Sequence, residues 1–221
     1  MNKQTSFILF LSIFLLGCGN AKSENPTQAA KKRYSIKQGY VEYNISGKLF
    51  SGNEKLYFDN YGLREAKYTQ QLVKAMGMTQ KNHTATFVDY RGDAVIYTYD
   101  FQTKSGTRTE NPMKHVMQEN DPQELGRNMM MQMGGKKTGT GTVLGKSCEI
   151  WEIKNMGTRI WLWNWVPLKT VTNMMGMQMT IEATKISMDF DKKKLIKPQA
   201  EYRDVSNALK DFKRLGTLRK K

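Results

Sequence analysis

Methionine is the residue type whose number and spacing in this chain could do chemistry. There are fifteen methionines, six of them between Met113 and Met133 and four between Met174 and Met179. A thioether on a flexible, unbranched side chain adapts to irregular apolar shapes, and it is also a soft ligand that selects Cu(I). The two clusters therefore suit a cavity whose contents vary, a plain methionine-rich core or a copper site.

Each methionine cluster has a secondary-structure pattern. The second cluster alternates like a strand, so that four apolar side chains share one face: Met175, Met177, Met179 and Ile181. In the first cluster, three apolar residues recur every four positions and form a helical stripe: Leu125, Met129 and Met133. A copper site would take two ligands from each pattern: Met129 and Met133, one helical turn apart, and Met177 and Met179 on the strand.

Other familiar catalytic patterns are absent or incomplete. Two histidines, His83 and His115, are too few for a three-histidine zinc site and lie outside any nucleophile or zinc motif. Residues 140–147 (TGTVLGKS) approach a phosphate-binding loop but have Thr140 in place of the first glycine, so a hairpin turn or bulge at its glycines is the better interpretation. Cys148 lies in a β-like stretch and is interpreted as a buried packing residue. Neither an enzyme nor a cofactor is expected.

The first eighteen residues predict the location of the protein. Lys3 precedes a ten-residue apolar run, residues 7–16, which is too short to span a bilayer but suits a signal peptide. Leu15-Leu16-Gly17-Cys18 resembles the lipobox of bacterial lipoproteins. The resemblance implies that residues 1–17 are a signal peptide and that Cys18 is acylated, with chains such as palmitate, and becomes the first mature residue.

The lipobox resemblance also constrains compartment and partners. Gly19 follows Cys18, so the aspartate that retains some lipoproteins in the inner membrane is absent. We therefore expect an outer-membrane lipoprotein that faces the periplasm, with residues 18–33 forming the lipidated cysteine and a polar, flexible tether. The net charge of +15 favours anionic partners such as lipid headgroups. Nucleic acid is not expected as a partner of an exported protein.

The body, residues 34–204, is predicted to be a single β-rich domain. Val41, Tyr43 and Ile45 alternate with polar residues, which indicates a strand with one buried face. Further β-like runs follow at short, even spacing, which favours a curled antiparallel meander: residues 55–58, 63–73, 84–90, 94–99, 141–153, 158–165, 168–175 and 177–190.

Helices are predicted at two places. Asn111-Pro112 and Asp121-Pro122 each place a capping side chain before a proline, so two short helices should interrupt the sheet and lie on its concave face. Residues 205–221 form a basic C-terminal helix and tail, which either rests on anionic lipid or docks on the body. The fold class is therefore mainly β with a small helical part: an unclosed half-barrel with a helical lid and a C-terminal helix.

The order of these elements resembles the lipoprotein-carrier superfamily typified by the Lol carriers and receptor and their mycobacterial relatives. The segments that carry the resemblance are Glu54 to Phe58, Gly145 and Cys148 with Trp151, and Ile160-Trp161-Leu162-Trp163 leading to Val166-Pro167-Leu168-Lys169. The resemblance covers residues 34–204 and implies a half-barrel whose apolar concave face lies under a helical lid and binds acyl chains. It has no sharp motif for a ligand site, so no binding residue is carried over.

These observations predict an envelope lipoprotein that binds a lipid or a lipoprotein acyl chain as a carrier or receptor. The predicted cavity is lined by Val41, Tyr43, Ile45, Leu125, Met129, Met133, Met175, Met177, Met179 and Ile181. Two alternatives stay open: a methionine-rich Cu(I)-binding envelope protein, and a structural or interaction lipoprotein with a solid core.

Overall fold

A computed structural model describes residues 31–75, 77–112, 114–174 and 176–206. Its strands are β1 (Gly39–Gly47), β2 (Phe50–Asp59), β3 (Arg64–Ala75), β4 (Met78–Asp89), β5 (Ile96–Asp100), β6 (Ser105–Thr109), β7 (Gly135–Val143), β8 (Lys146–Ile153), β9 (Thr158–Trp163), β10 (Val166–Met174), β11 (Met177–Ser187) and β12 (Tyr202–Asp204). Two helices, α1 (Lys114–Glu119) and α2 (Pro122–Gln132), lie between β6 and β7. Short 3-10 turns span Asn60–Gly62, Lys154–Met156 and Lys192–Leu195.

All described strands belong to one sheet. Its order is β12-β6-β5-β4-β3-β2-β1-β11-β10-β9-β8-β7. Two antiparallel meanders, β1 to β6 and β7 to β11, are joined where β11 pairs with β1, and β12 pairs in parallel with β6. In this order β12 and β7 are the two edges and do not pair with each other, so the sheet is not closed into a barrel. The predicted fold class, a mainly β unclosed half-barrel, is confirmed.

The two faces of the sheet follow from the register of paired residues. The inner face carries Val41, which pairs with Leu56 on β2. The outer face carries Tyr40, which pairs with Tyr57. Both of these β1 side chains are buried, so the first half of β1 is covered on both faces rather than on one.

Helix α2 lies on the inner face. Its start is fixed by Asp121, whose carboxylate accepts hydrogen bonds from the backbone N–H groups of Gln123 and Glu124. Met130 and the partly buried Met133 pack against inner-face residues of β8 and β9, and this cluster is completed by Trp151, Ile153, Ile160 and Leu162. Because the helical segment connects β6 to β7, it runs from one side of the open sheet to the other.

The strand boundaries differ from the sequence pattern at two places. Residues 141–153 were grouped as one β-like run, but Leu144 and Gly145 adopt positive φ angles and form the turn of the β7–β8 hairpin, which agrees with the hairpin turn or bulge expected at the glycines of this segment. The resemblance of residues 140–147 to a phosphate-binding loop is therefore a coincidence, since a strand rather than a helix follows the loop. Strand β6 was not predicted, because Ser105–Thr109 contains no large apolar residue.

Several predictions fall on residues that are not described. The signal peptide, Cys18 and all but the last residues of the tether lie outside the described residues, as does the C-terminal helix beyond Ser206. None of the described helices is long and apolar enough to cross a membrane.

Candidate functional site

The inner face of β1, β2, β10 and β11 forms an apolar floor. The floor belongs to the largest buried cluster among the described residues, and its inner-face members on these strands are Val41, Tyr43, Leu56, Phe58, Leu168 and Ala183. Tyr43 donates a hydrogen bond of 2.9 Å to the carbonyl oxygen of Pro167, which ties β1 to β10 across β11. Burial raises the pKa of the Tyr43 hydroxyl, so the floor is uncharged there at any physiological pH.

The chain that leads into β1 covers one end of this floor. Tyr34 is buried against Phe58, with an edge-to-face ring separation of 4.7 Å. The backbone N–H of Ser35 donates to Asn164 in the β9–β10 turn, and Gln123 on α2 donates to the Ser35 hydroxyl at 3.2 Å. The segment after the predicted tether therefore contacts the floor, a sheet turn and the N-terminal turn of α2.

The ten predicted cavity residues divide by burial. Val41, Tyr43 and Ile45 are between 1% and 4% exposed, and Met129 is also buried. The other described members are half-buried: Leu125, Met133, Met177, Met179 and Ile181. Met175 lies outside the described residues.

Met177 and Met179 lie toward one end of the sheet. Met177 and Met179 begin β11, directly after the β10–β11 turn, and Met179 pairs with Thr172. Ile181 pairs with Ile45 of the floor, which places all three on the inner face. Sequence reasoning missed Met130, which packs on Trp151 although it lies one position away from the predicted helical stripe. The apolar spacing of residues 129–133 was compatible with packing of either Met129 or Met130 on the sheet.

Sequence reasoning also missed a charged strip on the inner face of β2 and β3. Glu65 pairs with Phe58 of the floor and Lys67 pairs with Leu56, so both side chains lie beside the floor on the same face. Arg33 forms an ion pair with Glu65, and Lys67 forms one with Glu54 at 3.3 Å. The alternation of Glu65, Lys67 and Thr69 with Ala66 and Tyr68 was the available signal.

The outer face has a groove of its own. Aromatic residues from five strands form a cluster there, covered in part by Phe190 and Leu195 of the chain after β11. Beside this cluster lies a groove of about 610 Å³ with a mixed lining that includes Glu42, Lys55 and His83. Most of its lining lies on the face opposite the floor, and Tyr43 is the one predicted cavity residue that it reaches.

The geometry does not favour the copper alternative. The alternative requires thioether ligands from both methionine clusters, Met129 and Met133 with Met177 and Met179. Met133 packs in the cluster that contains Ile153. Ile153 pairs with Thr158, Thr158 pairs with Thr172, and Thr172 pairs with Met179, so three strand pairings separate Ile153 from Met179. Three strand spacings amount to about 14 Å along the sheet, which is far more than the distance between ligands of one metal ion.

Comparisons with known proteins give only distant likenesses. No protein-family profile matches the chain, and no curated protein matches it. A β-barrel-like protein of a domain of unknown function, DUF1849, from Brucella abortus is 10% identical, covers 72% of this chain and 100% of its own, and has a TM-score of 0.39. A DUF1329 family protein from Desulfovibrio piger is 11% identical over 74% of this chain and 91% of its own, with a TM-score of 0.32.

A third likeness is to an outer membrane lipoprotein-sorting protein domain from Vibrio parahaemolyticus. It is 10% identical, covers 74% of this chain and 92% of its own, and has a TM-score of 0.31. With all three TM-scores below 0.5, no property of these proteins can be carried over to this chain.

Proposed function

We propose that this protein is an envelope lipoprotein that holds an acyl chain of a lipid or of another lipoprotein between its inner face and α2. The observation that carries the proposal is an unclosed sheet whose inner face bears an apolar floor on β1, β2, β10 and β11, with α2 packed on the same face over β8 and β9. In an unclosed half-barrel a flexible apolar ligand can lie on the floor and pack against its side chains. The interior of a small closed barrel, by contrast, is usually filled by the protein's own side chains.

The energy for such binding is hydrophobic. Each methylene moved from water into an apolar site contributes about 0.8 kcal/mol, so a long acyl chain needs few polar contacts. The half-buried thioethers of Met177 and Met179 suit a ligand whose position varies, because methionine repacks at small cost. No covalent chemistry is part of the proposal, and we do not propose an enzyme.

The proposal includes an anchor. Acylation of Cys18 would hold the protein at the outer membrane with the body in the periplasm, and residues 18–33 would form the tether. The described end of that tether contacts α2 through Ser35 and Gln123. Helix α2 would thus be linked to the segment that leads from the proposed anchor into β1.

The double substitution Met177→Lys with Met179→Lys tests the ligand site. Both side chains are half-buried on the inner face, so a lysine stem can reach solvent and the sheet should still form. Two ammonium groups beside the acyl chain would have to be desolvated, and we expect the affinity for a fluorescent fatty acid to fall at least about tenfold, equivalent to about 1.4 kcal/mol.

A matched control adds the same charges to the other face of the same strand. Gln178 and Thr180 alternate with the two methionines and contact each other on the outer face. The Gln178→Lys, Thr180→Lys variant should bind the fatty acid like the wild type, as measured by fluorescence titration. If both folded variants, checked by circular dichroism, keep wild-type affinity, the acyl chain does not bind at this face.

A further inference from the structure

The outer face carries a row of polar side chains beside its aromatic cluster. Asn44 on β1 pairs with Asn53 on β2. Asn53 pairs in turn with Gln70 on β3, which pairs with His83 on β4. Residues that pair directly across strands point to the same face, so the four side chains form one row, and all four line the groove described above. Three strand spacings make this row about 14 Å long.

The amides of this row are reachable from solvent. Asn44, Asn53 and Gln70 are all exposed. Among the described residues the side-chain amides of Asn44 and Asn53 make no hydrogen bond, so each keeps one acceptor and two donors for a ligand. Gln70 contacts His83 at 3.3 Å between their Nε2 atoms, which leaves its carbonyl oxygen as an acceptor. The volume of the groove, about 610 Å³, is within the usual range of small-ligand sites.

Aromatic rings lie beside the row. Tyr57 and Tyr68 line the groove, and their rings meet edge to face at 5.6 Å between centroids. The hydroxyl of the half-buried Tyr68 donates to the carbonyl oxygen of Lys194 at 3.0 Å, which holds the ring in place. The imidazole of His83 stacks on Phe101 at 4.4 Å. A ligand in the groove therefore meets flat apolar surface next to hydrogen-bonding amides.

The charges of the groove select an uncharged ligand. Glu42 and Lys55 form an ion pair at 3.6 Å, and the hydroxyl of Tyr40 also donates to Glu42. Among the described lining residues, Lys194 is the remaining one that carries a full charge. The exposed amides are neutral groups that both donate and accept. They match a ligand with many hydroxyl or amide groups and no net charge.

A sugar fits these groups better than an extended peptide does. Peptides bind sheets by adding a strand at an edge, where backbone N–H and C=O groups lack partners. The row lies on β1 to β4, and each of these strands has a paired neighbour on both sides. A sugar ring has hydroxyl groups around its rim and C–H groups on its faces, which match the amides and the tyrosine rings respectively.

We propose that the outer-face groove binds an uncharged oligosaccharide, with hydroxyl groups on Asn44, Asn53 and Gln70 and one sugar ring against Tyr68. A chain of sugars can contact the whole row, which a single sugar cannot. The site lies on the face opposite the proposed acyl-chain site, so it is a second function that does not depend on the first. Soluble oligosaccharides and the glycan strands of a cell wall share this chemistry.

Calorimetric titration of the full-length protein, in micelles of a detergent that carries no sugar, tests the assignment. The probes are chitotetraose, whose sugars are N-acetylated, cellotetraose, the charged tetragalacturonate, and glucose. We expect an uncharged tetrasaccharide to bind at least about tenfold more tightly than glucose or tetragalacturonate. Cosedimentation with isolated peptidoglycan distinguishes the sources: it should accompany a preference for chitotetraose if the ligand is a cell-wall strand, and be absent if the ligand is a soluble sugar.

A double variant connects binding to the row. Asn44→Ala with Asn53→Ala removes two exposed amides, so the sheet should form as before, which circular dichroism checks. Losing their hydrogen bonds should weaken tetrasaccharide binding at least about tenfold. Gln80→Ala with Asn82→Ala removes two amides from the inner face of β4 and is the matched control, which should bind like the wild type. In NMR spectra of the wild type, the side-chain amide signals of Asn44 and Asn53 should shift on titration.

The contrary outcomes are distinct. Tighter binding of tetragalacturonate than of both uncharged tetrasaccharides would overturn the proposal, because lysines rather than amides would then select the ligand. Tetrasaccharide binding that the Asn44→Ala, Asn53→Ala variant retains would also overturn it, because the sugar would then lie elsewhere. If no sugar binds, the groove does not have this function, and the acyl-chain site on the other face is unaffected.

Discussion

At the scale of single residues, Gly62 is the position where the backbone before β3 packs closely against Tyr34, which covers one end of the floor. Gly62 has a φ of +78°, and a Cβ atom built there would lie 2.5 Å from the ring of Tyr34. Gly77 has nearly the same φ, +74°, but no atom lies within 4 Å of its Cβ position. Both glycines adopt the left-handed conformation, so only the contact with Tyr34 distinguishes them.

Gly62→Ala should therefore destabilise the protein more than Gly77→Ala. The strain of the left-handed conformation is common to both variants, about 1 kcal/mol. Overpacking against Tyr34 should add about 1–3 kcal/mol for Gly62→Ala alone. Urea unfolding of the two variants measures the difference in the free energy of unfolding. Equal destabilisation would show that Tyr34 does not pack on Gly62 in solution.

Residue-scale predictions from sequence succeeded where alternation was strong. Val41, Tyr43 and Ile45 alternate with polar residues and are all buried on the inner face. Tyr40 was not expected to be buried, because it stacks on Tyr57, which in turn contacts Phe190 of a distant segment. No local pattern reports such long-range contacts. Glu65 was missed for a related reason, since a charged residue on a strand is ordinarily solvated.

At the scale of elements, α2 offers a direct comparison between neighbouring methionines. Met130 is 8% exposed and packs on Trp151 and Ile153, whereas Met131 is 51% exposed. Met130→Ala should lower the free energy of unfolding by about 2–5 kcal/mol, because the removed side chain leaves a cavity between helix and sheet. Met131→Ala should change it by less than about 0.5 kcal/mol.

Thermal or urea unfolding of both alanine variants provides the measurement. Alanine is the better helix former at either position, so helix propensity cannot produce the expected difference. A similar, small effect at both positions would mean that α2 is not packed on the inner face in solution.

The start of α2 was predictable from sequence because a capping aspartate before a proline is a local signal, and Asp121 does cap the helix. The β7–β8 turn was also signalled, because Gly145 suggested a hairpin turn or bulge and adopts a positive φ there, although the neighbouring Leu144 gave no signal of its own. The turn at Gly176 was signalled in the same way, because the predicted β-like runs end and begin on either side of it.

At the scale of the whole molecule, sequence spacing indicated a curled antiparallel meander but not which distant strands pair with each other. The pairing of β11 with β1 joins the first and last long strands of the chain, with Tyr43 opposite Ala183. Sequence patterns report which residues alternate, whereas the choice of neighbouring strand depends on packing across the whole sheet. This pairing gives the two meanders one shared inner face, on which the proposed site lies. It also means that the segment containing α2 connects the two sides of the open sheet.

The account as a whole rests on one claim, that the inner face binds an acyl chain. The most direct test is to purify the full-length protein and to analyse the lipids released by organic extraction after denaturation, with native mass spectrometry before and after. Covalent chains at Cys18 would stay with the polypeptide, so released lipid reports only the non-covalent ligand.

We expect lipid to be released from the wild-type protein and from the Gln178→Lys, Thr180→Lys control, and to be absent or much reduced in the Met177→Lys, Met179→Lys variant. A native mass that equals the polypeptide with its anchor, and that stays unchanged after incubation with lipids, would contradict the account. The inner face would then be a solid core.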